Sequence, residues 1–238
     1  MISTRTLART AGVLYLMVAL CGMFAELYVR SGIVVPGDAA ATADNIRASA
    51  TLFRLGFVVD LVQATCFLLT AMALYLLLRH VNRLVAAAMV TLVAVSVAIM
   101  CLNLLNQLVA LSIATDGDYA SALGPAGSDA LAALFAEMQH DGFLIAQMFF
   151  GLWLLPLGYL VVRSGYVPRV LGVLLALGGV GYLVDLLARF LALGAAERIS
   201  PFVLAPALAG EVAFVAWLLV KAVRVPEQDA AGKVAVTV

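Results

Sequence analysis

Of 238 residues, 65% are hydrophobic and only 12% are charged, and the mean hydropathy is +1.10; soluble domains run at about 45–50% apolar and about 25% charged. A water-soluble fold of this composition would lack polar surface, so lipid is the expected solvent. Fourteen basic residues balance 14 acidic ones, which gives no support to nucleic-acid binding, since that needs a basic face.

Six apolar runs are long enough for spanning helices, each needing about 20 residues. The first is expected over 7–29, behind Arg5 and Arg9. Within it, Val18-Ala19-Leu20-Cys21 imitates a lipoprotein signal, but Leu20 stands where a small residue is required. No A-x-A cleavage pattern follows, so the segment reads as a retained helix. Cys21, Cys66 and Cys101 all fall in apolar stretches without metal-ligand spacing and read as small packing residues.

After Asp44, the spacing of Ile46, Ala50 and Phe53 predicts a short amphipathic helix over about 44–54. The second span is expected over 55–78. A tight link at His80-Val81-Asn82 turns the chain into a third over 84–113. A long connection, 114–139, holds Ser128 as a helix cap, then Leu131, Leu134, Phe135 and Met138 at helical spacing. This predicts a second amphipathic helix over about 129–139. Each amphipathic segment is either a separate helix at the membrane interface or the projecting start of the next span.

The fourth span is expected over 143–162, kinked at Pro156. The fifth, 170–191, carries Gly172, Gly178, Gly179 and Gly181, residues that let helices approach closely. Ser200-Pro201 reads as a cap and first helical position for the sixth, 202–223, where Ala205, Ala209 and Ala213 form a small-residue stripe. Residues 225–238 are polar and are expected to be a disordered cytoplasmic tail. The fold class is therefore all-α, a polytopic membrane bundle of about six transmembrane helices, with a single domain over residues 1–224.

Basic residues orient it. Nine of the 14 (Arg5, Arg9, Arg79, Arg83, Arg163, Arg169, Lys221, Arg224, Lys233) fall on one side of the six-span layout. By the positive-inside rule both termini are cytoplasmic.

Ionisable groups inside a bilayer cost about 2.5–3.5 kcal/mol each on insertion scales, which makes them candidate functional residues. Counted from the basic residues of the inner side, Glu211 lies about 15 Å deep, near the midplane, and Asp185 and Glu26 about 24–26 Å. Asp60, His140, Asp141, Asn103, Asn106 and Gln107 come out at about 28–35 Å, at the outer interface. The inner half has no such groups. This one-sidedness predicts an outward-facing polar vestibule formed by Glu211, Asp185, Arg189, Glu26, His140, Asp141, Asp60, Asn103 and Gln107.

A structural reading competes with it. Glu26 with Arg30 and Asp185 with Arg189 are i, i+4 pairs able to neutralise each other, and Asn103, Asn106 and Gln107 suit bonds between helices. His140 and Asp141 are neighbours that point about 100° apart, so they cannot form an oriented dyad by themselves. A metal would need His140 with carboxylates such as Glu211 from other helices. No metalloprotease, nucleophile-elbow, P-loop or dinucleotide motif is present, and nothing calls for a cofactor.

Several stretches resemble a bacterial membrane-protein family named domain of unknown function 4386. They include His140-Asp141-Gly142, Phe149-Phe150-Gly151-Leu152, Leu157-Gly158-Tyr159-Leu160, Arg163-Ser164-Gly165 and Pro168-Arg169-Val170-Leu171-Gly172. Arg9-Thr10-Ala11-Gly12, Asn45-Ile46-Arg47, Phe53-Arg54, Leu74-Tyr75-Leu76-Leu77-Leu78-Arg79, Gly210-Glu211 and Trp217-Leu218-Leu219 extend the resemblance over about residues 5–224. It implies a bacterial inner-membrane protein of about six helices and no particular activity. The function expected is binding or carriage of a small polar or amphiphilic molecule, with membrane lipids as partners. The alternatives are a membrane-embedded enzyme acting on lipid headgroups and a structural or regulatory subunit. The sequence carries no signal for oligomeric state.

Overall fold

The computed structural model describes residues 3–191 and 196–223, leaving aside the side chains of Ala196 and Glu197. The expected tail at 225–238 lies outside the described residues. Among them every regular element is helical: α1 Thr4–Ile33, α2 Ala39–Ala48, α3 Ala50–Leu78, α4 Arg83–Thr115, α5 Gly117–Leu123, α6 Pro125–Ser164, α7 Arg169–Phe190 and α8 Ala196–Val220. Six of these (α1, α3, α4, α6, α7 and α8) are long and apolar enough to cross a membrane. The chain is a multi-pass membrane protein by this architecture.

The helices outrun the apolar windows because a helix continues as long as its backbone bonds are satisfied, whatever the solvent. The 40 residues of α6 make about 60 Å of helix, twice the hydrocarbon thickness of about 30 Å. Segment 129–139 is thus the opening of α6 and not a separate element. Ser128 does not cap it: its buried hydroxyl donates to the Ile113 carbonyl. Segment 44–54 divides at Ser49, which leaves helical geometry at φ −116°, ψ 28°. The cap of α2 is Asp38, whose carboxylate accepts from the Ala41 amide at 2.9 Å. Ser200 and Pro201 lie inside α8, which begins at Ala196. Within α1, Phe24–Arg30 is π-helical, a widened turn that re-aims the side chains beyond it. The Arg-Ser-Gly stretch ends α6, with Gly165 at φ +71°, a left-handed position open to glycine at little cost.

The chain divides into two compact units, and the boundaries fall inside α1, α3, α4 and α6. One unit takes the described residues of Met1–Tyr15, Leu68–Ala94 and Gln147–Val238. Its core includes Leu74, Met89, Trp153, Leu154, Leu157, Leu175, Phe214 and Leu218. Glycine sets its helix spacing. A Cβ on Gly158 would lie 2.6 Å from the Gly172 carbonyl oxygen, and one on Gly179 would lie 2.6 Å from that of Gly151, so α6 and α7 pack backbone to backbone. On the α8 side, a Cβ on Gly178 would come within 2.5 Å of Ala207 Cα, and one on Gly181 would collide with the Val203 carbonyl. The face of α8 used here is Val203, Ala207 and Gly210; Ala205 and Ala209 of the expected stripe are exposed.

The second unit takes Leu16–Phe67 and Val95–Ala146. One of its buried clusters joins Val29 and Ile33 of α1, Ala43 and Ile46 of α2, Phe53 of α3, Ala110, Leu111, Ile113 and Ala114 of α4, and Ala132 and Ala136 of α6. Cross-bonds fix it: Asn45 donates to the Ile33 carbonyl at 3.1 Å and Gln107 to that of Phe53 at 2.9 Å.

The glycine contacts make a testable contrast. Gly178→Val should lower the thermal midpoint by an overpacking cost of about 1–3 kcal/mol. Gly32→Ala, at a position with open space around it, should leave the midpoint unchanged in the same detergent.

Candidate functional site

In the first unit, Glu211 on α8 accepts from the Tyr15 hydroxyl of α1 at 2.5 Å and from the Tyr182 hydroxyl of α7 at 3.2 Å. Small residues make this convergence possible. A Cβ on Gly12 would press on Leu218 at 3.0 Å, and one on Gly210 on Leu174 at 3.1 Å, so α1 and α7 both approach α8 closely. Trp153 and Phe214 flank the Tyr15 ring, with centroids at 5.6 and 6.5 Å. Among the described residues no basic group lies within ion-pair distance of Glu211.

One turn along α7 from Tyr182, Asp185 is 1% exposed. It accepts from Arg189 Nε at 2.9 Å, from the Ser200 hydroxyl, and from Gln147 Nε2 at 3.5 Å. Arg189 also donates to Ser200 at 3.1 Å. Asp185 is therefore neutralised and hydrogen-bonded, the condition for burying a charge.

The second unit holds another triad. Arg30, buried in α1, donates from Nε to Glu26 at 2.7 Å and from its terminal nitrogens to Asp60 of α3 at 2.6 and 3.4 Å. A cavity of about 10 Å³, room for about one water, is lined by Asp60, Asn103 and Gln139 with Met100, Leu104 and Phe143. Asn103 donates to the Gln139 carbonyl at 2.6 Å and accepts from Asn106 at 3.0 Å. A Cβ on Gly142 would overlap Asn103, so the glycine of His140-Asp141-Gly142 makes that bond possible. His140 and Asp141 themselves are exposed on α6. Among the described residues no three His, Cys, Asp or Glu side chains are grouped to hold a metal.

Outside the spans, Arg47 of α2 donates to Asp129 and Asp44, each at 2.9 Å, and to the Ala114 carbonyl at 3.4 Å. Its bonds to Asp129 and Asp44 raise its pKa above the ordinary arginine value, so it stays charged.

The structure thus brings together Glu26 with Asp60 through Arg30, and Asp185 with Arg189. Asn103 and Gln107 are tied to backbone carbonyls of neighbouring helices. Reading the sequence missed Tyr15, Tyr182, Ser200 and the Arg47 network. Tyrosine prefers the membrane interface, so one set among apolar residues, as Tyr15 and Tyr182 are, is a signal that a polar partner waits for it.

Removing Arg30 tests the triad. Arg30→Met should cost about 3–5 kcal/mol by stranding the buried Asp60 carboxylate, and adding Asp60→Asn should restore most of it, read as thermal midpoint and purified yield.

Comparison with known proteins places this geometry in context. The profile of a family described as Domain of unknown function (DUF4386) matches residues 10–222. An uncharacterized protein of Archaeoglobus fulgidus is 39% identical over 83 residues, 35% of this chain. The chain spans about half the length (48%) of that curated relative. No solved structure matches.

Proposed function

Since the chain belongs to the family described as Domain of unknown function (DUF4386), a description naming no activity, we propose from its own geometry that it binds or carries a small polar or amphiphilic molecule whose positive charge is met by Glu211. The observation that carries this reading is a contrast of charges. Asp185, Asp60 and Glu26 each have an arginine, whereas Glu211 has two hydroxyl donors and, among the described residues, no basic partner. Hydroxyls orient a carboxyl but bring no charge to it, so balance in a low-dielectric span comes from a proton or from a bound cation.

The setting fits such a role. Glu211, Asp185 and Arg189 belong to one compact unit, and Tyr182 and Asp185 lie a turn apart on α7, giving a ligand a second polar anchor beside Glu211. The distribution of basic residues supports termini in the cytoplasm and a site opening outward from a bacterial inner membrane, with lipids around it. A packing-only carboxyl is the competing account, and an amide of the same shape would serve it equally well.

That difference is measurable. A ligand at a hundredfold excess over its Kd adds about 2.7 kcal/mol to stability. In a thermal-shift screen of small organic cations and cationic amphiphiles, wild type should gain that stabilisation from at least one compound. Glu211→Gln should fold, keep its own midpoint, and lose the response. Equal responses in the two proteins, or none in wild type, contradict the proposal.

A further inference from the structure

A second cavity lies in the second unit, where the end of α4, the short α5 and the first turn of α6 meet α2. Its volume is about 320 Å³, within the size range of small-molecule pockets, which starts at about 300 Å³. Arg47, Thr115, Asp116, Ala120, Ser128 and Asp129 are among its lining residues. None of the vestibule residues lines it.

The hydrogen bonds of the wall define what it can accept. Arg47 already spends its guanidinium on Asp129, Asp44 and the Ala114 carbonyl. Thr115 donates its hydroxyl to the Leu111 carbonyl, and Ser128 to that of Ile113. Apart from the Nε–H of Arg47, what these side chains have left is acceptor capacity: hydroxyl lone pairs and carboxylate oxygens. The charge is also one-sided. The lining carries two carboxylates, Asp116 and Asp129, against the single positive charge of Arg47. The carboxylates are not grouped to hold a metal ion. The lining carries no aromatic ring, so a quaternary ammonium would find no cation–π surface.

We infer that this pocket binds a primary ammonium group, whose three N–H donors match an acceptor-rich, net negative wall. The group is either that of a free small amine or that of a phosphatidylethanolamine headgroup reaching the pocket from the bilayer. This site is independent of Glu211.

The test uses the full chain in nanodiscs. With phosphatidylglycerol as the only lipid, ethanolamine is titrated by saturation-transfer NMR, with choline as the quaternary control. In parallel, thermal midpoints are compared in nanodiscs doped with phosphatidylethanolamine or with phosphatidylcholine. Asp116→Asn keeps the α5 cap, because asparagine also accepts from the Asp118 amide that Asp116 now holds at 3.0 Å. It removes only the charge and should weaken binding about threefold, the scale of one partly exposed ion pair. Ala120→Phe should fill the pocket and abolish binding. All of these measurements are made in the Glu211→Gln background, which removes the cation site proposed above, so that a response read here comes from this pocket. Saturable ethanolamine binding without choline binding assigns a free amine. A stabilisation by phosphatidylethanolamine that Ala120→Phe removes assigns the headgroup. The inference fails if neither response appears, if choline or phosphatidylcholine acts equally, or if both variants respond as their Glu211→Gln parent does.

Discussion

A carboxylate inside hydrocarbon has to be matched by positive charge, and this constraint organises the polar residues of the chain. Asp185 and Asp60, 1% and 4% exposed, each receive an arginine. Arg30 serves two acids at once, Glu26 on its own helix and Asp60 on α3. Glu211 departs from the rule. It has two tyrosine hydroxyls from separate helices in place of a guanidinium.

Glycine makes these meetings possible. The fifth span is lined with it on two sides: Gly172 and Gly179 against α6, Gly178 and Gly181 against α8. Tyr182 and Asp185 lie on this same helix, so the backbone distances set by glycine fix how far the α7 side chains must reach. A short reach lets Tyr182 touch Glu211 and lets Asp185 touch Ser200. The same logic operates at Gly142, where the missing side chain makes room for Asn103 to reach the Gln139 carbonyl. Dispersion and hydrogen bonding, which need such proximity, are what hold helices together where lipid is as apolar as leucine.

Much of this was legible in the sequence because it is local. Run length and hydropathy give six spans, and i, i+4 spacing gives Glu26–Arg30 and Asp185–Arg189. Elements that depend on contacts between distant residues were not legible. Asp60 lies 30 residues from Arg30, and Tyr15 lies 196 from Glu211; no periodicity encodes either pairing. Helix ends were misjudged for a related reason. Ser128 and Ser200 look like caps, but their hydroxyls serve tertiary partners, the Ile113 carbonyl and Asp185. The long connections also looked less structured than they are, since the cluster around Ile33, Ile46, Phe53 and Ala132 draws on five separate stretches of chain.

The most direct probe of the charge contrast is dicyclohexylcarbodiimide, an apolar reagent that modifies carboxyl groups carrying a proton within hydrocarbon. Labelling purified protein and mapping the adducts by mass spectrometry should mark Glu211 and spare Asp185, Asp60 and Glu26, each of which is engaged by an arginine. An unlabelled Glu211, or equal labelling of the arginine-paired acids, would contradict the account.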